Sequence, residues 1–265
     1  MTINFHQIIN YVKHYFTAKR KGHSVHSPFA YKLCEEVFYN NNQFYDFNTL
    51  KKLREELIKN KSEITVEDFG AGSKIFKSGK RSIDSIVQTG ISTEKQSELL
   101  YKLINFLKPE IIIELGTSIG LNTLYLTNAN KKAKVYSIEG SKSLSDFAKQ
   151  LALKQNVKNC DYIEGKFDEQ LPRLLDQLKQ LDFFYVDGNH TYPATINYFN
   201  LALTKMHSYS VFVFDDIYWS KEMTKAWREI KKHPSVTLSV DTFYFGILFF
   251  REEIKEKIEL KFFIK

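Results

Sequence analysis

The sequence predicts an α/β fold built on a mostly parallel sheet, and three observations carry that prediction. From about residue 105 to 250, short apolar runs alternate with stretches of helical periodicity. The runs are continuously apolar, as expected of parallel strands covered on both faces. The last two runs, SVTLSVD and TFYFGILFF, leave no room for a crossover helix, so they should pair antiparallel.

The elements follow in order. In the N-terminal region a helix is expected over 4–17, where Phe5, Ile8, Ile9, Val12, Tyr15 and Phe16 form one stripe. Further helices are expected around 28–38, 48–59 and 94–107. The tract GHSVHSPF (22–29) reads as a loop by its Ser, Gly and Pro content. Residues 1–95 are therefore expected to form a helical cap and 96–265 the sheet domain. In the latter, IIIEL (111–115), KVYSIE (134–139), CDYIE (160–164), FFYVD (183–187) and VFVFD (211–215) read as strands. Leu121, Leu124, Tyr125 and Leu126 suit a helix after the first strand, and Leu144, Phe147, Ala148 and Leu151 another after the second. Helices are also expected around 168–180, 192–204 and 221–232. The last has Ser220 as N-cap and Met223, Trp227 and Ile230 on one face.

Composition narrows the function classes. With 43% hydrophobic and 15% aromatic residues over 265 positions, the chain can bury a core, which excludes global disorder. Eleven Gly and five Pro exclude collagen-like or low-complexity architecture. Two widely separated cysteines, Cys34 and Cys160, cannot build a disulfide framework or a Cys-based zinc site and read as free thiols. The longest apolar run, Phe243–Phe250, is far short of a membrane span. The N-terminus lacks the pattern of a secretory leader, so the expectation is a cytoplasmic protein with no membrane partner. Net charge is +7, most of it before residue 95, but no nucleic-acid reading module accompanies it. A solvated basic face, or an entrance attracting anionic substrates, fits better than nucleic acid.

Ligands of open parallel sheets bind beyond the carboxyl ends of the strands. Those ends carry Glu114 with the turn Gly116-Thr117-Ser118-Ile119-Gly120, then Glu139 with Gly140, then Gly165, Asp187, and Asp215 with Asp216. A structural sheet has no need of so many acids at its boundary. The first turn lets a backbone approach a ligand closely, and the helix after it offers free N–H groups to an anion. Glu139 stands where a carboxylate accepts hydrogen bonds from ribose hydroxyls. The Gly-x-x-x-Gly spacing departs from the dinucleotide fingerprint Gly-x-Gly-x-x-Gly, which argues against a nicotinamide-dependent oxidoreductase.

The tract IIELGTSIGLNTLYL resembles the first motif of class I S-adenosylmethionine (SAM)-dependent methyltransferases. The likeness continues through VYSIEG, EGKFDEQLPRLL, FFYVDGNH and VFVFDDIYWS, over roughly residues 90–220. It is nearest to the group that includes catechol and caffeoyl-CoA O-methyltransferases. The tracts HSVHSPF and DFGAGS resemble bacterial members of the superfamily. The resemblance implies a Rossmann-like, seven-stranded methyltransferase sheet, mostly parallel with an antiparallel last strand, behind an N-terminal helical cap. It implies SAM as cofactor and methylation of a small-molecule hydroxyl. A non-catalytic SAM-fold binding protein, or an N- or nucleic-acid methyltransferase, is the alternative. No Asn-Pro-Pro-Tyr-like tetrapeptide follows the fourth strand, where Asp187-Gly188-Asn189-His190 stands instead. A homodimer is left open.

The roles implied fall residue by residue. Glu114, Gly116, Thr117, Ser118 and Gly120 would shape the methionine pocket, with Asn122 near the amino-acid carboxylate. Glu139 and Gly140 would border the ribose, while Gly165, Phe167 and Asp168 match the segment that contacts adenine. Phe167 is otherwise a core aromatic and Asp168 a helix N-cap. Asp187, Asp215 and Asp216 match three divalent-metal ligands, an all-oxygen set suited to Mg²⁺ or Mn²⁺. The family has Asn at the third. Where the metal-dependent enzymes place a lysine, His190 stands, a residue able to take the proton of an acceptor hydroxyl. Its plainer reading is a loop histidine. Asp187 would contact the cofactor or substrate, or take the proton where no metal is used. His23 and His26, the DFGAGS loop (68–73) and Trp219 are candidates for the acceptor side, and Trp227 for the core.

Overall fold

The computed structural model describes residues 5–18, 27–67 and 79–263. His23, His26, most of the HSVHSPF tract, the basic run Lys19–Lys21 and the DFGAGS loop lie outside the described residues. In chain order the elements are α1 (Phe5–Thr17), α2 (Pro28–Leu33) running into a π-helical turn (Cys34–Phe38), α3 (Tyr45–Ile58), β1 (Glu63–Val66), β2 (Gly79–Ser82), α4 (Ile83–Thr89), α5 (Glu94–Leu107), β3 (Ile111–Leu115), α6 (Leu121–Ala129), β4 (Lys134–Glu139), α7 (Lys142–Lys154) and β5 (Cys160–Glu164). They continue with α8 (Phe167–Gln177), β6 (Phe183–Val186), α9 (Tyr192–Leu203), β7 (Val211–Phe214), α10 (Lys221–Ile230), β8 (Leu238–Asp241), β9 (Gly246–Phe249) and β10 (Ile258–Lys261). Two compact units divide the chain, one of Asn41–Arg173 and one of Met1–Asn40 with Leu174–Lys265. Residues 1–95 are thus shared between the units, and residue 95 lies in α5.

In the 41–173 unit, β3, β4 and β5 run parallel in that order, with Ile113 opposite Tyr136 and Tyr136 opposite Asp161. The apolar runs account for this: Ile112, Ile113, Leu115, Val135 and Ile138 are buried. Helix α5 begins on a capping box. Thr93 Oγ1 accepts from the Gln96 amide at 3.4 Å, and Gln96 Oε1 accepts from the Thr93 amide at 2.7 Å. The antiparallel pair β1–β2 and helix α4 were not expected from the sequence. Both are short, and neither flank of the β1–β2 connection carries an apolar run.

In the two-segment unit the strand order is β10-β8-β9-β7-β6. β6 and β7 are parallel, β9 is antiparallel to both β7 and β8, and β10 is parallel to β8. The expected hairpin is therefore present. With β3, β4 and β5 of the other unit, however, there is one such strand more than the seven expected, and the antiparallel strand β9 is not the last. The extra strand is β10. Its signal is only a brief alternation in which Leu260 and Phe262 are buried.

Helix α10 starts on the expected cap, with Ser220 Oγ accepting from the Met223 amide at 3.0 Å. It buries Met223, Trp227 and Ile230. Trp227 packs close to Gly246, where an added Cβ would come within 2.5 Å of the indole ring. Gly246→Ala should therefore cost about 1–3 kcal/mol by overpacking. Urea unfolding with an unaltered midpoint would exclude this close approach.

Helix α1 forms where expected, but its apolar stripe faces solvent and its polar side faces the protein. Asn10 and His14 are its buried residues. His6 Nε2 lies 2.8 Å from Thr224 Oγ1. His14 Nε2 donates to the Phe262 carbonyl at 2.8 Å, and Nδ1 lies 3.2 Å from Asp241 Oδ1. Tyr218 donates to the other oxygen of Asp241 at 2.6 Å, and the Phe243 amide donates to Oδ1 at 2.9 Å. Burial raises the Asp241 pKa, but the bonds from His14 and Tyr218 outweigh it and hold the carboxyl below its ordinary value. Among the described residues no helix is long and apolar enough to cross a membrane. Both cysteines are free thiols.

Candidate functional site

The glycine turn after β3 is built from left-handed backbone. Gly116, Ser118 and Gly120 have φ of 101°, 50° and 83°. Gly120 is required twice over, because an added Cβ would also meet the Ala148 Cβ of α7 at 2.8 Å. The turn is tied to β4 by the Gly116 amide, which donates to the Ile138 carbonyl at 3.0 Å.

Glu139, the last residue of β4, organises this region. Its Oε2 accepts from the Ser118 amide at 2.8 Å and its Oε1 from the Ser141 amide at 2.9 Å. Its carbonyl accepts from the Gly165 amide at 2.9 Å. One residue therefore joins the turns after β3, β4 and β5.

Glu114 plays a different part from Glu139. It is fully buried, and its Oε2 accepts from Ser137 at 2.5 Å and Thr123 at 2.6 Å. Ser137 in turn meets Thr117 at 2.5 Å. Glu114 thus braces the turn from behind through hydroxyl groups. Asn122 is also buried, accepting from Ser97 at 2.6 Å and donating to Ser92 at 3.0 Å. Arg54, another buried residue, donates to the Ser92 carbonyl at 2.8 Å. Ser92, Ser97, Arg54, Thr123, Ser137 and Ser141 were missed by sequence reasoning. Isolated Ser and Thr residues carry no spacing that distinguishes a brace from an ordinary surface hydroxyl.

Gly140 forms the bend after β4, and Gly165, with φ 136°, the turn after β5. Phe167 is half-buried and opens α8; Asp168 is exposed in its first turn. Asp168 is therefore inside the helix rather than its N-cap, a position where a carboxylate favours the helix dipole.

In the two-segment unit, Asp187 and Asp215 follow β6 and β7 directly. The hydroxyl of Tyr185, inside β6, lies 3.0 Å from Asp187 Oδ2 and 3.2 Å from Asp215 Oδ2 and shares its one proton between them. Asp215 Oδ1 accepts from the Asp216 amide at 2.7 Å, and Asp216 has a left-handed φ of 54°. His190 Nε2 stands 3.8 Å from Asp187 Oδ1. The loop between them is held by Asn189, which donates to the Tyr198 hydroxyl at 3.0 Å. Burial pushes the Asp187 pKa up to about 6, opposed by His190 and reinforced by Asp216. Asp216 is also raised, again by burial. Trp219 is half-buried, its amide donating to the Asp216 carbonyl at 2.8 Å.

The expected three-carboxylate Mg²⁺ site is not shown. Among the described residues no group of three or more His, Cys, Asp and Glu side chains could hold a metal ion. Asp187, Asp215 and Asp216 are brought together as a hydrogen-bonded group, not as converging ligands. Asp215 Oδ2 lies 3.2 Å from the Tyr185 hydroxyl, and its Oδ1 accepts from the Asp216 amide.

Residues 113–217 match the family described as "Methyltransferase domain". An uncharacterized protein of Acanthamoeba polyphaga mimivirus is 31% identical over 130 residues, 44% of this chain. The chain spans 58% of that relative's length. Among solved structures, the O-methyltransferase TomG of Streptomyces achromogenes, involved in tomaymycin synthesis and in complex with SAM, is similar with a TM-score of 0.53 and 20% identity. That likeness covers 61% of this chain and 82% of TomG. The O-methyltransferase of Bacillus cereus in complex with S-adenosylhomocysteine gives 0.56 and 14%, covering 78% and 91%. The S-adenosylhomocysteine-bound methyltransferase PaMTH1 of Podospora anserina gives 0.55 and 14%, covering 80% and 100%. The fold is shared with solved SAM-dependent methyltransferases, and residues 113–217 match a methyltransferase-domain family model.

Proposed function

We propose that the chain is a SAM-dependent methyltransferase acting on the hydroxyl of a small-molecule acceptor without a metal. The observation that carries this reading is the Glu139 carboxylate at the end of β4, bonded to the turns on either side of it. The left-handed turn Gly116–Gly120 and this acid fit an adenosyl group, with Glu139 receiving the ribose hydroxyls. Asn122, with Ser92 and Ser97 beside it, would border the amino-acid end, and Phe167 and Asp168 the adenine. When bound, SAM supplies a sulfonium methyl that an acceptor oxygen can attack, releasing the thioether. His190 would take the hydroxyl proton on a ring nitrogen, and the Asp187 carboxylate beside it would stabilise the imidazolium so formed.

Glu139 provides the test. Glu139→Ala should weaken SAM binding by about 1.5–3 kcal/mol, the worth of hydrogen bonds to a charged group. Glu139→Gln keeps one acceptor oxygen, so its affinity should lie between the two. Titration calorimetry reads both, and wild-type protein that takes up no SAM rejects the proposal. Release of S-adenosylhomocysteine with hydroxyl acceptors should also persist after exhaustive EDTA treatment. Activity abolished by EDTA and restored by Mg²⁺ would overturn the metal-free reading.

A further inference from the structure

Helix α1 is docked on its unit in an unusual sense. Its polar residues His6, Asn10 and His14 face inward, and His14 is 1% exposed. On the other side, Phe5 and Phe16 are 74% and 80% exposed and Ile8, Ile9, Val12 and Tyr15 are 38–46% exposed, Tyr15 also meeting Phe263 edge-on at 5.8 Å. Over thirteen residues the stripe runs about 20 Å. The inward contacts of His6 with Thr224 and of His14 with Phe262 and Asp241 favour this rotation, because turning the helix would take buried His14 away from both of its partners. A continuous outward row of this kind marks an interaction surface rather than scattered surface apolar groups.

Charge selects the occupant. Helix α1 has no acidic residue and carries Lys13. Lys221 and Arg228 lie close enough to His6 to help burial lower its pKa. Lys261 donates to Thr17 Oγ1 at 3.3 Å at the other end of the helix. In the sequence, five Lys/Arg and no Asp or Glu precede Glu35. An apolar row bordered by cations matches a helix lying in the plane of an anionic lipid interface. A second copy would bring the same cations face to face across a two-fold axis. Nucleic acid would use the cations but gain nothing from the aliphatic row.

We propose that the outward face of α1 docks the protein peripherally on an anionic lipid surface. The helix lies in the interface and nothing crosses the bilayer. This departs from the expectation that the protein has no membrane partner.

Flotation of the full chain with phosphatidylcholine vesicles, with and without phosphatidylglycerol, tests this. Binding should require phosphatidylglycerol and weaken as salt rises. The double variant Phe5→Ser/Phe16→Ser, whose side chains are exposed and outside the core, should bind roughly ten-fold or more weakly. Tyr45→Ser, 88% exposed in the other unit, should bind as wild type. No flotation, or equal binding to both vesicle types, overturns the proposal. So does a dimer in light scattering that the double variant dissociates, which would assign the face to a second copy. Displacement by duplex DNA with no loss in the double variant would assign the cations to nucleic acid and also overturn it.

Discussion

Replacing His190 with alanine should lower turnover by about 10²–10⁴-fold, the usual worth of a positioned general base. The reasoning is local. His190 is the partly exposed base beside Asp187, 3.8 Å away, on a loop that Asn189 ties to α9 through Tyr198. An acceptor hydroxyl gains nucleophilicity as its proton leaves, and an imidazole can accept that proton near neutral pH. SAM affinity should be unchanged in the same variant, because the residues proposed to hold SAM are in the 41–173 unit. Methyl transfer at the wild-type rate by His190→Ala would remove the histidine from the mechanism. A parallel loss of SAM binding would show that the substitution had damaged more than proton transfer.

Asp187→Asn should stabilise the fold at neutral pH while it lowers activity. Burial raises the Asp187 pKa from 3.8 to about 6, with Asp216 adding to the shift and His190 opposing it. A carboxyl raised in the folded state stabilises fully below its unfolded pKa. That contribution is lost as pH rises through the folded value. Between about pH 4 and 6 wild-type stability should therefore fall, and at pH 7 the buried ionised group destabilises the fold. Asparagine cannot ionise and can still accept from Tyr185, so the variant's stability should be flatter over that window. Its Tm should exceed wild type by several degrees at pH 7, with the gap closing toward pH 4. Turnover should fall because the imidazolium of His190 loses its charged neighbour. A variant less stable than wild type at pH 7 would refute the burial argument.

The parts of the fold legible in the sequence were those with long periodic signals. The strands IIIEL, KVYSIE and CDYIE appear over the same residues as β3, β4 and β5. The acids at their ends were visible because a carboxylate ending an apolar run has few structural uses. What those acids touch was not visible. Glu114 and Glu139 stand alike at the ends of neighbouring strands, yet the first is buried among hydroxyls and the second bonds two turn amides. The matching acids after β6 and β7 pointed to a metal in the resemblance. Tyr185, silent inside an apolar strand, instead bridges two of them.

The sequence by itself determined the strands β3 to β7, the helices between them and which acids stand at their ends. Each of those depends on periodicity, turn residues and burial within a few neighbours. Only the tertiary structure decided what each acid bonds to, that β10 extends the sheet edge, and that α1 turns its apolar stripe outward. Those outcomes depend on partners far apart in the chain, such as His14 with Asp241 and Phe262, whose pairing leaves no local mark. A stripe of Phe, Ile, Val and Tyr reads the same whether it meets a core or faces away from one. On the opposite side of the helix His6, Asn10 and His14 face inward, and His6 and His14 meet partners more than 200 residues away.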